Sequence, residues 1–351
     1  MIHRPLMAAL ACLSITGPAV AQTPPAHTGG PPWLAEVSIP STRRIQFTSQ
    51  INGESYALAI HVPLTPPPPG GYPVIYVLDG DLLFGMASDI SMTIGDPRRT
   101  PVVVAIGHGL LDDMSVAARY AGRHPGDRTP VGLGDIGLAM NALRFHDLTL
   151  PVAAVHRAPD WTGLTPANVG GVDDFLRVIE TEIKPRVAAA VAVNPADKAL
   201  FGHSIAGLAV LRALFTEPQA FRTFIAASPS IWWDADAVLA GEPGFAEAVR
   251  RGRIRPRLLL AVGALEPDSP NPPPSFIATL PPDRAKSLRD YVAMASRWSG
   301  MVSGSRVLGE RLGKLSGQPG YEVRFVAFDG EDHASVLPAA LGRGMRFAFG
   351  S

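Results

Sequence analysis

One cysteine occurs in 351 residues, Cys12, and it falls in the first apolar segment. Beyond that segment there is no material for a disulfide framework, a thiolate nucleophile or a cysteine-held metal. A surplus of charge is also missing, since 31 basic residues face 31 acidic ones. A nucleic-acid binder carries a basic excess, so nucleic acid is not expected as a partner. Lysine is scarce, confined to positions 184, 198, 286 and 314, a compositional mark of a GC-rich bacterial genome. Long apolar runs are absent too. No stretch reaches the roughly 18 uncharged apolar residues that suggest a spanning helix, and no membrane anchor is expected.

What is present begins with a leader. His3 and Arg4 form a basic start, Leu6 to Ile15 is mostly apolar, Gly17 and Pro18 interrupt it, and Ala19-Val20-Ala21 gives a small-residue cleavage pattern before Gln22. This pattern predicts a secretory signal peptide over 1–21, and hence a periplasmic protein. Residues 22–40, rich in Pro, Gly and Thr, read as a flexible leader. An exported chain without disulfides must rely on a large core, which a domain over 41–351 is long enough to bury.

Eight segments have strand character. Arg43–Gln50 and Ser55–Val62 alternate around Asn52-Gly53, a dipeptide suited to a tight hairpin. Pro73–Leu78, Val102–Ile106, Lys198–Phe201, Thr223–Ala227, Leu258–Val262 and Glu322–Phe328 are compact apolar runs of the kind that lie buried on both faces of a sheet. Phe175, Leu176, Val178, Ile179 and Ile183 share one face of a predicted helix, and Ala206–Phe215 forms another. A hairpin followed by alternating strands and helices predicts an α/β fold with a mostly parallel eight-stranded sheet and helices on both faces. The interval 129–171 breaks the alternation and is expected to be an inserted loop or cap. It contains Gly132-Leu133-Gly134-Asp135-Ile136-Gly137, a G-x-G-x-x-G match. That match follows prolines rather than a strand, so a dinucleotide reading is rejected and no cofactor is expected.

Gly202-His203-Ser204-Ile205-Ala206 lies between a strand and a helix. A sharp strand-to-helix turn presents a serine hydroxyl to a base, and its crowding demands small residues two places either side. Gly202 and Ala206 satisfy this. The loop after the seventh strand carries Glu266 and Asp268, and the eighth is followed by Asp329-Gly330-Glu331-Asp332-His333. Nucleophile, acid and histidine thus occur in the order Ser, Asp/Glu, His, each at the C-terminal end of a strand, where open α/β sheets place their sites. His333 is the expected base. His203 adjoins the serine and is expected to pack behind the turn. Glu266 is the favoured acid, with Asp268 or a Ser-His pair lacking an acid as alternatives. Two backbone N–H groups should hold the oxyanion, from Ile205 and from Asp81 in the loop after the third strand. No metal is required.

Five stretches together resemble a serine esterase family of α/β-hydrolases that includes periplasmic and cytoplasmic ferric enterobactin esterases. They are Val77-Leu78-Asp79-Gly80-Asp81, Asp127-Arg128-Thr129-Pro130, Gly202 to Leu208, Ser228-Pro229-Ser230-Ile231-Trp232-Trp233, and Gly330 to Leu337. The resemblance implies an eight-stranded α/β-hydrolase fold with Ser204 and His333 catalytic, and hydrolysis of carboxylic esters. In the siderophore branch the substrate is a macrocyclic tri-serine lactone bearing catechols. Two features depart from the family: a longer 129–171 interval, and an alanine at Ala264 where an acidic residue is common. Arg119, Arg123 and Arg128 could bind catecholate or carboxylate oxygens or simply be surface charge. Trp232 could stack on an aromatic substrate or form a buried wall. The expected partner is a small-molecule ester, a siderophore first, with feruloyl or simple acyl esters, or a non-catalytic siderophore-binding protein on the same scaffold, as alternatives.

Overall fold

The computed structural model describes residues 38–110, 133–153, 164–234, 236–266, 300–315 and 319–350, with 282, 285, 286 and 289. Ile39–Ser351 form one unit. Its strands are β1 (Thr42–Thr48), β2 (Ser55–His61), β3 (Tyr72–Val77), β4 (Val102–Gly107), β5 (Val193–His203), β6 (Thr223–Ala227), β7 (Arg257–Gly263) and β8 (Glu322–Phe328). They make one eight-stranded sheet in the order β1-β2-β4-β3-β5-β6-β7-β8. The first two ladders, β1/β2 and β2/β4, are antiparallel and the rest parallel.

The apolar runs explain the layering. Side chains of a strand alternate between faces. Val74, Tyr76, Leu200, Phe224 and Leu258 enter one core, while Ile75, Val77, Phe201, Ile225 and Leu259 enter the other. Helices α1 (Gly80–Ser91) and α8 (Val336–Phe349) cover the second face. The first is covered by α3 (Val172–Val178), α4 (Lys184–Ala190), α5 (Ile205–Thr216), α6 (Glu242–Arg250) and α7 (Met301–Gly313). This is the α/β-hydrolase arrangement.

Two elements differ from the sequence expectation, and a third gains a helix that the sequence did not show. The fifth strand starts at Val193, not Lys198, because Asn194-Pro195 sits at a register shift against β3, where a residue without an N–H is tolerated. The helix predicted around Phe175–Ile183 runs on to Ala190 through a π-helical turn at Ile179–Ile183. Within that turn Glu182 is buried and accepts the Gln50 N–H at 3.0 Å, tying the helix to the β1–β2 hairpin. The interval expected to be an inserted loop or cap contains helix α2 (Leu133–Leu148), into which the rejected glycine motif runs. Among the described residues no helix is long and apolar enough to cross a membrane.

Candidate active site

Ser204 lies between β5 and α5 with φ 61° and ψ −120°, a backbone region that non-glycine residues rarely occupy. Such a conformation costs on the order of 1–3 kcal/mol and persists where its surroundings over-determine it. Here the Ser204 N–H donates to Ala227 O at 2.9 Å, and the Ser204 carbonyl accepts from Leu208 at 3.1 Å and Ser230 at 3.1 Å. The turn explains the small residues. A Cβ on Gly202 would stand 2.3 Å from the Ala206 carbonyl oxygen, so the backbone itself occupies the space. The methyl at Ala206 is accommodated, fully buried, and the strict requirement falls on position 202. Gly202→Ala is therefore expected to cost about 3 kcal/mol or more through overpacking, readable as a lowered midpoint in chemical denaturation. Unchanged stability would mean that the turn relaxes more easily than its contacts imply.

Ser204, His333 and Glu266 converge from three strand ends. The His333 imidazole places Nε2 3.0 Å from Ser204 Oγ and Nδ1 2.8 Å from Glu266 Oε2. A carboxylate only accepts, so Nδ1 carries the proton and Nε2 is left to accept one from the hydroxyl. Glu266 is 5% exposed. Its other oxygen, Oε1, accepts from Ser228 Oγ at 2.5 Å and from the Gly263 N–H at 2.6 Å. Gly263 also permits the approach of the histidine loop, since a Cβ there would lie 2.4 Å from Glu331 O. Backbone bonds from Ala264 to Phe328 (2.8 Å) and from Leu265 to Glu331 (2.9 Å) join the two loops.

The remaining sequence candidates divide. Asp332 is occupied elsewhere, its Oδ1 accepting the N–H groups of Ala334 (2.9 Å) and Ser335 (2.8 Å). His203 sets its ring 4.6 Å from the His333 ring. Burial, then the nearby His333 and Arg144, hold the His203 pKa well below the ordinary imidazole value. Trp232 is 6% exposed and packs beside Trp233 in the core, so it offers no open face for stacking. Arg119, Arg123, Arg128 and Asp268 lie outside the described residues. Ile205 opens α5 and Asp81 lies in the first turn of α1. These are positions where a helix leaves N–H groups without intrahelical acceptors.

A second polar cluster lies beside the β3–α1 loop. The Asp81 carboxylate accepts the backbone N–H of His108 (2.8 Å) and of Gly109 (3.0 Å). The Asp79 carboxylate takes a two-pronged contact from Arg144 of α2, Nε to Oδ1 at 2.7 Å and Nη2 to Oδ2 at 3.0 Å. Buried Asp147, one helical turn after Arg144, accepts from the Tyr56 hydroxyl at 2.7 Å and meets His146 Nδ1 at 2.7 Å and His108 Nε2 at 3.4 Å. Asp79, Asp81, His108, Arg144 and Asp147 line one small pocket. His108 Nδ1 faces the Ser55 carbonyl at 2.9 Å and must donate there, so Nε2 donates to Asp147 when the ring is cationic.

The cluster has a definite pH signature. Burial works against ionisation of Asp147 but is outweighed by hydrogen bonds from His108, His146 and Tyr56, which hold its pKa down to about 2. For His108 burial disfavours the cation, and the bond and charge of Asp147 reverse this, raising its pKa. The bond to Asp147 likewise raises that of His146, against burial. The aspartate's contribution to stability is complete above the ordinary carboxylate range and is lost as pH falls toward its depressed value. The histidines' contribution is complete below the ordinary imidazole range and is lost as pH rises through their raised values. Asp147→Asn should therefore lower Tm more at about pH 5, between the ordinary ranges near 4 and 6.5, than at about pH 8. A deficit in thermal melts as large at the higher pH would refute the ionic pairing.

A family model described as "Putative esterase" matches residues 153–296. The ferri-bacillibactin esterase BesA of Bacillus subtilis is 31% identical over 313 residues, 89% of this chain and 90% of that protein. The siderophore triacetylfusarinine C esterase of Aspergillus fumigatus is 28% identical over 323 residues, 89% of this chain and 94% of that one. Among solved structures, the BES protein from Bacillus cereus superposes with a TM-score of 0.64 at 25% identity, covering 90% of this chain and 98% of that chain.

Proposed function

Since this chain belongs to the esterase family of α/β-hydrolases, we propose that it is an exported, periplasmic serine hydrolase that cleaves siderophore esters of the trilactone type. The observation that carries the mechanism is the continuous relay from Ser204 Oγ through His333 to Glu266, with contacts of 3.0 and 2.8 Å. Ser204 Oγ attacks the ester carbonyl as His333 Nε2 takes its proton, and Glu266 holds the imidazolium that forms. The oxyanion turns toward the N–H groups of Ile205 and Asp81. Collapse expels the alcohol, which receives the proton from His333. Water then enters by the same route in reverse, freeing the acid and restoring Ser204. The relatives' names support a siderophore as the substrate, with iron arriving as cargo. The signal-peptide pattern over 1–21 supports export.

Two measurements test this reading. A fluorophosphonate should form an adduct on Ser204, as a catalytic serine does and a binding protein's serine does not. Turnover of a trilactone siderophore should exceed that of a feruloyl ester by at least about tenfold, a margin of 1.4 kcal/mol in transition-state binding. Absence of the adduct would end the serine mechanism. Preference for the feruloyl ester would keep the mechanism and replace the substrate.

A further inference from the structure

We propose that the groove between β8, the end of α8 and the loop before β4 is a second binding site, apart from the triad, that takes phosphate groups. The groove holds about 740 Å³, the size of a small-molecule site. Arg324 on β8 and Arg343 and Arg346 on α8 line it, and the acidic residue among its lining is Asp96. Leu259 and Arg324, paired across β7 and β8, also line it and are the third residues of their strands. Ser204, Glu266 and His333 follow the strands' C-terminal ends, so the groove lies toward the opposite end of the sheet.

The charges in the groove do not cancel. Asp96 is already met by a fork from Arg98, Nε to Oδ1 and Nη2 to Oδ2, both at 3.2 Å. Arg324 is held by Glu322, Nε to Oε1 at 2.6 Å, while the other oxygen of that acid accepts from Arg257. Arg343 and Arg346 are exposed, and among the described residues no hydrogen bond or ion pair engages either guanidinium. They stand three positions apart on α8, where Cβ atoms are about 5–6 Å apart and two side chains can meet one anion. A favourable helix dipole accounts for a cation in the last turn, such as Arg346. It does not account for Arg343 and Arg324 lining the same groove. Rings steady two of these cations: Arg343 lies 5.9 Å from the Phe328 ring centre and Arg324 5.3 Å from that of buried Phe347. A guanidinium so placed keeps its forked N–H edge for an oxyanion. A phosphate monoester carries about −1.5 to −2 at neutral pH, so one such group matches the two uncompensated arginines better than a singly charged carboxylate.

The test titrates sodium pyrophosphate into the full chain by isothermal calorimetry, with a Kd of about 100 μM or tighter expected. Arg343→Gln/Arg346→Gln should weaken binding at least about tenfold, since hydrogen bonds to charged groups are lost. Arg343→Lys/Arg346→Lys keeps the charge without the fork and should fall between the two; it also gives a reading if the glutamine pair folds poorly, which a thermal melt reports. Arg250→Gln/Arg251→Gln removes two exposed cations of α6 outside the groove and should change Kd by less than about twofold. A second arm distinguishes the source of the phosphate. Flotation with phosphatidylcholine vesicles carrying about one-fifth phosphatidic acid, seen in wild type and lost in the glutamine pair, places it on a lipid headgroup. Pyrophosphate binding without flotation places it on a soluble molecule. Absence of binding in both arms overturns the proposal. So does binding that the glutamine pair retains, or that the α6 pair weakens equally, since then net charge and not the groove is read.

Discussion

Ser204→Ala is expected to reduce kcat on an activated ester by about 10⁶-fold, the scale seen when a triad nucleophile is removed, while the protein folds and still binds its substrate. The hydroxyl that meets His333 Nε2 is that of Ser204, and alanine removes it. The fold should survive for a specific reason. Alanine at 204 faces the same backbone conformation as serine, φ 61°, and the bonds that hold the turn are made by the backbone of Ser204, Ala227, Leu208 and Ser230. What is lost is one hydroxyl contact with His333, about 1 kcal/mol. Ester turnover, a thermal melt and substrate binding together check the prediction. A variant keeping more than about one per cent of wild-type kcat would exclude Ser204 as the nucleophile.

Glu266→Gln should be nearly as damaging to activity, by about 10⁴-fold, and far milder in stability than Glu266→Ala. The glutamate makes contacts of two kinds. Oε1 accepts from Ser228 and the Gly263 N–H, which a glutamine carbonyl oxygen can still do. Oε2 accepts from His333 Nδ1, and there glutamine presents an NH₂ group. Two donors cannot face each other, so the imidazole must turn over or take the other tautomer, and Nε2 no longer accepts from Ser204. Glu266→Ala strands the Ser228 hydroxyl and the Gly263 N–H in a buried site, at about 1–3 kcal/mol for each group. The pair of variants separates the two duties: equal loss of Tm in both, or a loss of kcat below about tenfold in Glu266→Gln, would deny the acid its place.

Legibility in the sequence followed the range of the forces involved. The parallel strands are visible because both faces are buried, which writes Val102–Ile106 or Thr223–Ala227 as unbroken apolar runs. Ser204 and Glu266 are visible because each follows such a run, and His333 because it follows the alternating, half-exposed β8. The start of β5 is hidden because Asn194-Pro195 violates strand chemistry and is tolerated only at the register shift with β3. Helix α2 is masked by Gly134 and Gly137, each of which lowers helix propensity by about 1 kcal/mol. The polar partners of the site were the least legible. Ser228 on Glu266, with its own φ of 42°, and Arg144 on Asp79 join residues 38 and 65 positions apart. Nothing local in either stretch announces such a pairing. The sharpest available hint was the clustering of Asp79 and Asp81 around Gly80, two carboxylates in a tight loop that both demand donors.

The order of strands along the sheet also fixes when this chain becomes able to work. The turn at Ser204 is complete once β5, α5 and β6 have packed, but the His333 imidazole arrives on the stretch after β8, an edge strand that pairs with β7 and is partly open to solvent. On the proposed mechanism, a chain emerging from its N-terminus carries an inert Ser204 alcohol until the segment with His333 docks. Fraying at that same margin, where local opening is easiest, would silence the molecule well before it melts. On the proposed mechanism, latency during synthesis and early loss under stress both follow from carrying His333 just beyond the edge strand.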